Sequence, residues 1–418
     1  MTNTRIRISA LLLAISGLLT PHPAAFGAGK APKIHELTFS GKATPGQYYV
    51  PVYTSFTVPE GIVKISVTQH LGSGEARPGN LDLGIFDERG AGFEGPGFRG
   101  WSGGARRSFE IGETEATPGY LAGRINPGRW TVIQMPTTAG RTTDWTLKIT
   151  LTEGPRAKKL PAPSYAAPQL NDKPGWYRIA PHVHTVHSDG RLTPAEVIAL
   201  GKASGLDGIV STDHNTTSAL LHWGEVQDLE FLVINGVEVT YGQGHWNIFG
   251  LDPHAWIDFR IHHNDTLRYR KVVAKARKAG RLLVATPPYN LDFLYDVTPM
   301  DGIEVWNSAW SPANERAVEL WHTLLVGGNR KFAVASTDFH RGGNIASPHT
   351  VVRAEALSAE AVIDAIAAGR SYVARDTSAE IGMQVRNSAT PVQHADIGGT
   401  LLRSGGMQAE FRSNTAGR

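Results

Sequence analysis

The chain has 418 residues, more than a single domain ordinarily holds, so two domains or a domain with an appendage are expected. Hydrophobic residues make up 41% and charged residues 19%, which excludes a largely disordered chain and a solenoid of charged helices. Cysteine is absent, which excludes disulfides, zinc ribbons, iron–sulfur clusters and thiol nucleophiles, so any metal must be held by His, Asp and Glu.

Residues 1–28 read MTNTRIRISALLLAISGLLTPHPAAFGA. Arg5 and Arg7 precede an apolar run from Ile8 to Leu19 and a small-residue stretch, the pattern of a secretory signal peptide. The run is too short to span a bilayer, and no Cys follows it to carry a lipid. Removing both arginines leaves 41 − 2 = 39 bases against 38 acids. The expected mature protein is therefore nearly neutral, periplasmic or secreted, and without a membrane anchor.

From His35 to Thr152, short runs such as YYVPVYTSFTV, IVKISVTQHL, LDLGIFD, RWTVIQM and WTLKITL are rich in β-branched and aromatic residues. Gly, Pro and Asn clusters separate them, which predicts an N-terminal all-β sandwich domain over residues 35–152. Within it, GPGFRG lacks the strand and helix that a dinucleotide site needs. GWSGG around Ser102 lacks the strand–turn–helix context of a serine nucleophile. Residues 153–175 are rich in Pro and Ala without periodicity, a predicted linker.

Strands and helices then alternate over residues 176–375. WYRIAPHVH, LDGIVSTDH, FLVINGVEVT, RLLVATPPYN, GIEVWN and KFAVASTDFH read as strands. LTPAEVIALGKASG reads as a helix capped by Thr193 with Pro194 in its first turn. Further helices are predicted over Thr266 to Ala279, near Asn314 to Leu325, and in SAEAVIDAIAAG. This alternation predicts an α/β fold with parallel strands, a barrel. The basic helix with Arg268, Arg270, Lys271, Lys275, Arg277 and Lys278 invites a nucleic-acid reading. Its segment, Lys173 to Arg375, holds 19 bases against 21 acids, so a solvated helix face is expected and no nucleic-acid patch. Residues 376–418 return to a Gly- and Ser-rich, β-like composition.

Twelve of the 16 histidines lie between His182 and His349. His182 and His184 stand two apart in a strand, so both imidazoles reach one face. His187 and Asp189 follow. Asp213 and His214 end a second strand, Glu238 lies near the end of a third, His245 sits in GHWNIFG, and Asp338 and His340 end KFAVASTDFH. In a parallel barrel those ends gather on one face, where active sites sit. The pattern predicts a polynuclear metal site.

HVHTVHSDG, STDHN, GVEVT, GHWNIFG and STDFH resemble the successive motifs of the polymerase and histidinol phosphatase (PHP) superfamily of metallohydrolases. GIEVWN, the leader and the preceding β domain make the chain most similar to a carbaryl-hydrolase-like secreted branch. The resemblance covers about residues 176–375. It implies a distorted (β/α)7 TIM-like barrel with two or three divalent ions, zinc, manganese or iron. Carried over by position, it implies that His182, His184, Glu238 and Asp338 bind the first ion. Glu238 would bridge to a second held by His245, and Asp189, His214 and His340 would hold a third. Where the family shows Asn-His-Pro, this chain has Thr286-Pro287-Pro288, which implies a weakened second site unless Tyr289, Asn290 or Asp292 substitutes. His187 is left as incidental or supporting, and Asp213 as a carboxylate that orients a ligand. Asn307 and Arg341 are expected at the same mouth, with Arg341 a candidate grip on an anionic substrate.

Glu238, Asp338 and Arg341 are thus the candidate catalytic residues, with a metal-activated hydroxide as nucleophile. The resemblance implies a hydrolase of small, anionic phosphate esters or nucleotides. The same site also suits carbamates or carboxylic esters, and a non-catalytic metal-containing binding protein is the third reading. Cationic grips would favour phosphate, and an apolar slot, for which Trp246, Trp306 and Trp310 are candidates, would favour aryl carbamates. All the ligands lie beyond the linker, so the β domain is expected to be removable without loss of the metal site.

Overall fold

The computed structural model describes residues 32–72, 79–226, 229–242, 244–262, 264–287, 295–388, 392–401 and 406–414. Residues 1–28 and the trio Tyr289, Asn290 and Asp292 lie outside them. Residues Lys33–Arg418 form one compact unit.

Eight strands come first: β1 (Ile34–Ala43), β2 (Val52–Val58), β3 (Ile62–Leu71), β4 (Leu81–Phe86), β5 (Phe98–Gly103), β6 (Ser108–Gly112), β7 (Gly128–Pro136) and β8 (Thr143–Glu153). They pair into two antiparallel sheets, in the orders β1-β8-β3-β6 and β2-β7-β4-β5. β8 shows the period of two that a one-sided sheet requires, with Trp145, Leu147, Ile149 and Leu151 buried and their neighbours more open. These four pack with Leu83, Ile85, Trp130 and Val132 of the other sheet. β7 differs, because seven consecutive residues from Trp130 to Pro136 are buried. A strand buried on both faces lies between two layers. Phe86, Phe98, Trp101, Ile133 and Met135 of the second sheet form one core with Trp246, Ile257 and Phe259 from beyond the linker. The sandwich is therefore packed onto the second half of the protein.

That half contains β9 (Gly175–Val183), α1 (Pro194–Ala203), β10 (Gly208–Ser211), β11 (Leu232–Tyr241), β12 (Gly244–Phe249), α2 (Thr266–Ala279), β13 (Leu282–Ala285), β14 (Gly302–Asn307), α3 (Pro312–Val326), β15 (Phe332–Ser336), β16 (His349–Ala354), α4 (Ala359–Ala367) and β17 (Ser371–Ala374). The strands form one nine-stranded sheet ordered β15-β14-β13-β12-β11-β10-β9-β16-β17. A parallel bridge from Val183 to Phe339 brings the chain after β15 back to β9, so the ring from β9 to β15 nearly closes. The predicted α1 cap is present: the Thr193 hydroxyl and the Glu196 carboxylate form a capping box, with Pro194 in the first turn.

The expected (β/α)7 alternation is corrected here. Four α-helices accompany these nine strands among the described residues. β12 runs antiparallel to both β11 and β13, and β16 runs antiparallel to β9 and β17. Only residues 242 and 243 separate β11 from β12, far fewer than the dozen or so that a parallel crossover needs, so a hairpin forms. Between β10 and β11 the chain makes two short 3-10 turns, Ser218–Leu221 and Trp223–Glu225, in place of a helix. A third sheet of β18 (Ile381–Asn387), β19 (His394–Asp396) and β20 (Met407–Ser413) follows. No helix among the described residues is long and apolar enough to cross a membrane.

Candidate metal centre

The side chains read from the strand ends converge at one end of the ring. His182 and His184 leave the end of β9, and Glu238 lies on β11. His245 opens β12, whose reversed direction places its first residues beside the last residues of β11, with Thr240 paired to His245. Asp338 and His340 follow β15. Asp338 and Asn215 hold left-handed backbone conformations, with φ 52° and 59°. Such strain in non-glycine residues persists where the surroundings enforce it, often at functional sites.

Three groups of donors lie close enough to share an ion. The first is His182, His184, Glu238 and Asp338. His182 Nε2 is 3.1 Å from Glu238 Oε2 and 3.2 Å from Asp338 Oδ1. His184 Nε2 is 3.3 Å and 2.9 Å from the same two oxygens. All four atoms are buried and none has a hydrogen-bond partner. Buried polar atoms left unpaired are costly, and four of them aimed at one point fit a divalent cation bound by nitrogen and oxygen. The second group is His214, Glu238 and His245, with His245 Nδ1 2.7 Å from Glu238 Oε1. The third is His184, Asp189, His214 and His340. Asp189 Oδ1 lies 3.1 Å from His340 Nε2 and 3.5 Å from His214 Nε2.

His214 holds a position that the motif pattern did not give it. Its Nδ1 faces Glu238 Oε2 at 3.0 Å while its Nε2 faces Asp189 and His340. The imidazole thus stands between the second and third groups and supplies the second with the third donor that Pro287 does not. Pro287 is half-buried next to Thr286, whose hydroxyl donates to the His245 carbonyl at 2.5 Å.

Several supporting residues have no motif of their own. Glu304 Oε2 lies 2.8 Å from His182 Nδ1, so that nitrogen donates to the carboxylate and, once the imidazole is neutral, Nε2 would present its lone pair to the first group. A charged residue between Ile303 and Val305 in an apolar strand was the signal for it. Asp213 accepts hydrogen bonds from the Thr185 N–H and hydroxyl and from the Ser188 hydroxyl. It therefore fixes the loop that carries Asp189, rather than an imidazole directly. Arg106, from the sandwich, donates to the carbonyls of Val186 and Ser188 and clamps the same loop.

Other expectations are revised. Arg341 is exposed and does not line the cavity over these groups. Asn307 is buried, its N–H donating to Asn314 Oδ1. His187 packs away from the donors, its Nδ1 2.8 Å from the Ser218 hydroxyl. Trp246 is core, and Trp306 and Trp310 pair with each other outside the cavity. Ser102 pairs with the Tyr120 hydroxyl, which leaves no nucleophile arrangement there.

The cavity over the donors measures about 360 Å³ and has two walls. The ring supplies Ser188, Asp189, His214, Asn215, Thr240, His245 and Phe259, and the sandwich supplies Tyr48, Tyr49, Asp82, Trp101 and Met135 among others. Trp101 packs on Phe259 with ring centres 4.5 Å apart. Gly242 must be glycine, because a Cβ there would lie 2.3 Å from the Tyr49 ring. None of the described lining residues is Lys or Arg.

Burial works against charge on the histidines, while neighbouring carboxylates favour it on three of them. Asp338, Glu304 and Glu238 raise His182, Glu238 and Asp189 raise His214 to about 10, and Asp189 with Asp338 raises His340. His184 goes the other way, to about 4, through burial and the neighbouring His340 and His214. The cationic neighbours outweigh burial at Glu238, Asp338 and Asp189 and hold all three below the usual carboxylate range. Without metal, positive charge on these imidazoles is thus favoured where cations would sit. Loading with a divalent ion at pH 7 is expected to release about one proton or more per chain, and affinity is expected to rise with pH, because metal-binding imidazoles must be neutral. Calorimetric titration in buffers of different ionisation enthalpy measures this, and uptake without proton release would mean that the imidazoles are already neutral in the metal-free protein.

Asp82 has a distinct signature. Burial pushes its carboxyl up to about 7, against the Thr137 hydroxyl and His214, which pull it down. A carboxyl raised on folding favours the folded state below its unfolded pKa, and that advantage is lost as pH climbs towards 7. Asp82→Asn is therefore expected to stabilise the metal-free protein at pH 7 by on the order of 1–2 kcal/mol, discounted for partial exposure. The gain should vanish below about pH 4. Thermal unfolding at the two pH values checks both signs.

No family model matches the chain, and no curated protein matches it. Among solved structures it is similar to a two-domain protein from Bacteroides vulgatus containing a predicted PHP-like metal-dependent phosphoesterase. That match has 16% identity and a TM-score of 0.37, covering 56% of this chain and 84% of the other. It is also similar to a protein from Bifidobacterium adolescentis described as a putative metal-dependent phosphoesterase, at 18% identity and a TM-score of 0.31, covering 45% and 94%. A third is an amidohydrolase from Chromobacterium violaceum with bound sulfate and no metal, at 19% identity and a TM-score of 0.30, covering 40% and 89%. Likenesses of this size leave the reading of the site to its own geometry.

Proposed function

We propose that this chain is a metal-dependent hydrolase of the PHP superfamily, acting on small esters. The supporting observation is the meeting of His182 Nε2, His184 Nε2, Glu238 Oε2 and Asp338 Oδ1, four buried donors without hydrogen-bond partners. Divalent ions in such a set supply acidification of a water and polarisation of the substrate oxygen that gains charge. The protein supplies the rest. Glu304 sets the tautomer of His182, and Asp213 and Arg106 hold the Asp189 loop in reach of His214 and His340. The sandwich wall narrows the mouth and excludes water.

Phosphate esters and nucleotides are the reading that the motifs favour. The cavity wall favours carboxylic or carbamic esters instead, because no Lys or Arg lines it among the described residues and Tyr48, Tyr49, Trp101 and Phe259 do. The carbaryl-hydrolase-like resemblance agrees with that second reading. Residues 1–28 support export to the periplasm or beyond. The test is metal analysis of purified protein beside a panel of aryl phosphates, aryl carboxylates and aryl carbamates, each assayed with zinc, manganese and iron. Turnover of one class identifies the substrate. Metal binding without turnover of any class would favour a binding protein.

A further inference from the structure

The cavity wall opposite the metal ligands carries one acid, Asp82, on β4 of the sandwich. Its Oδ1 accepts from Asn80 Nδ2 at 2.7 Å and from the Thr137 hydroxyl at 3.3 Å. No hydrogen bond reaches Oδ2 among the described residues. Arg107 donates to Asn80 Oδ1 at 2.7 Å and to the Leu81 carbonyl. It thereby braces the asparagine that holds the acid. Gly103 and Gly104 flank the carboxylate and leave it uncovered. A Cβ at Gly104 would lie 2.3 Å from Asn80 Nδ2 and 3.0 Å from Asp82 Oδ1. One oxygen is thus tethered on a rigid sheet and the other is left to the cavity.

We infer that Asp82 is a specificity-determining residue, accepting a hydrogen bond from the substrate and excluding a second anionic group, and this rests on the hydrolase reading above. Its carboxylate shares a 360 Å³ cavity with Asp189 and with no lining Lys or Arg among the described residues. Among the described residues, the imidazoles and the ions they would hold are thus the cationic groups a substrate would meet there. A substrate whose reacting carbonyl or phosphoryl oxygen engages the ions must present its remaining groups to the opposite wall. That wall holds Asp82, Tyr48, Tyr49 and Trp101. A flat, neutral group bearing an N–H or O–H fits it. A phosphate or carboxylate at that end would lie beside a carboxylate in a partly buried site, where repulsion is strong. The substrate class is therefore an aryl ester, amide or carbamate with a donor on the group that faces the sandwich.

Ligands that are not turned over separate this inference from the hydrolase reading. The metal-loaded full chain and its Asp82→Asn variant are titrated calorimetrically at about pH 8, where the Asp82 carboxyl is mostly ionised, with benzamide, N,N-dimethylbenzamide and 4-carboxyphenylphosphonate, whose phosphonate can engage the ions while its carboxylate faces the sandwich. The wild type is expected to bind benzamide about tenfold more tightly than the dimethyl compound, the range of one hydrogen bond to a charged acceptor. In Asp82→Asn that preference should shrink severalfold, and 4-carboxyphenylphosphonate should bind about tenfold more tightly as the repelling charge is lost. Equal binding of the two amides to the wild type overturns the inference without recourse to any variant. So does a variant with wild-type metal content and unchanged 4-carboxyphenylphosphonate affinity. Failure of every ester in the panel, with the amide preference intact, overturns the hydrolase reading and leaves Asp82 as a ligand-selecting residue.

Discussion

Glu238→Gln is expected to abolish turnover and to remove at least one ion per chain while the fold survives. Both oxygens of Glu238 are engaged: Oε2 lies near His182, His184 and His214, and Oε1 lies 2.7 Å from His245. The residue is 1% exposed, so water cannot replace either oxygen. An amide of the same shape offers one neutral acceptor and one N–H donor. The donor would face an imidazole nitrogen or a cation, and the charge that lets two cations stand close together would be gone. Losses of a hundredfold or more in metal affinity are the expected scale, since changes beyond the direct ligands already cost about 10–100-fold. Elemental analysis, turnover and thermal unfolding are read together. Wild-type metal content with wild-type turnover would sink the claim that Glu238 joins the first and second groups.

The donors were legible in the sequence because strand geometry dictates them. Residues two apart in a strand share a face, which pairs His182 with His184, and carboxyl-terminal strand ends gather in a ring. The allocation of donors to ions was less legible. Which nitrogen of His214 faces which neighbour depends on ring orientation, set by Thr240 and Glu238 some 25 residues away. The barrel reading failed locally and for a physical reason. A βα alternation counts strands but does not give their direction, and the two-residue connection after Tyr241 reverses β12. The same reversal brings His245 to the metal end, so the departure from regular alternation is part of how the site is built.

The sandwich contribution was illegible because it rests on contacts between residues far apart in sequence. Asp82, Trp101 and Arg106 lie in ordinary β-strand and loop contexts, and nothing adjacent to them reports that the first two line the cavity and the third holds the loop at 186–189. Only the double-sided burial of β7 betrays a second layer, and the apolar sequence RWTVIQM is compatible with it without requiring it. The expectation of a removable β domain followed from counting ligands alone. It passed over the residues that hold a ligand loop in place.

Excision of residues 35–152 is therefore expected to destroy the metal site along with the stability of what remains. The ring and its surroundings would lose the cover over Trp256, Ile257 and Phe259. Trp256 stacks on Phe98 with ring centres 4.4 Å apart, and Phe259 packs on Trp101. A large apolar side chain is worth about 1.5–3 kcal/mol when buried. Several such side chains on this one face amount to on the order of 10 kcal/mol, which matches the whole stability of an ordinary domain. Polar ties are lost as well. Arg260, fully engaged by Asp258, Tyr53 and the carbonyls of Ala91 and Gly92, would keep only its bonds to Asp258. Without Arg106, the loop carrying Asp189 loses both of its carbonyl contacts to the sandwich, and the third group of donors loosens first. A fragment of residues 153–418 should bind a hydrophobic dye, unfold without a cooperative transition and retain less than one ion per chain. A soluble fragment that unfolds cooperatively and holds two ions would mean that the ring carries its own stability and that the sandwich merely covers it.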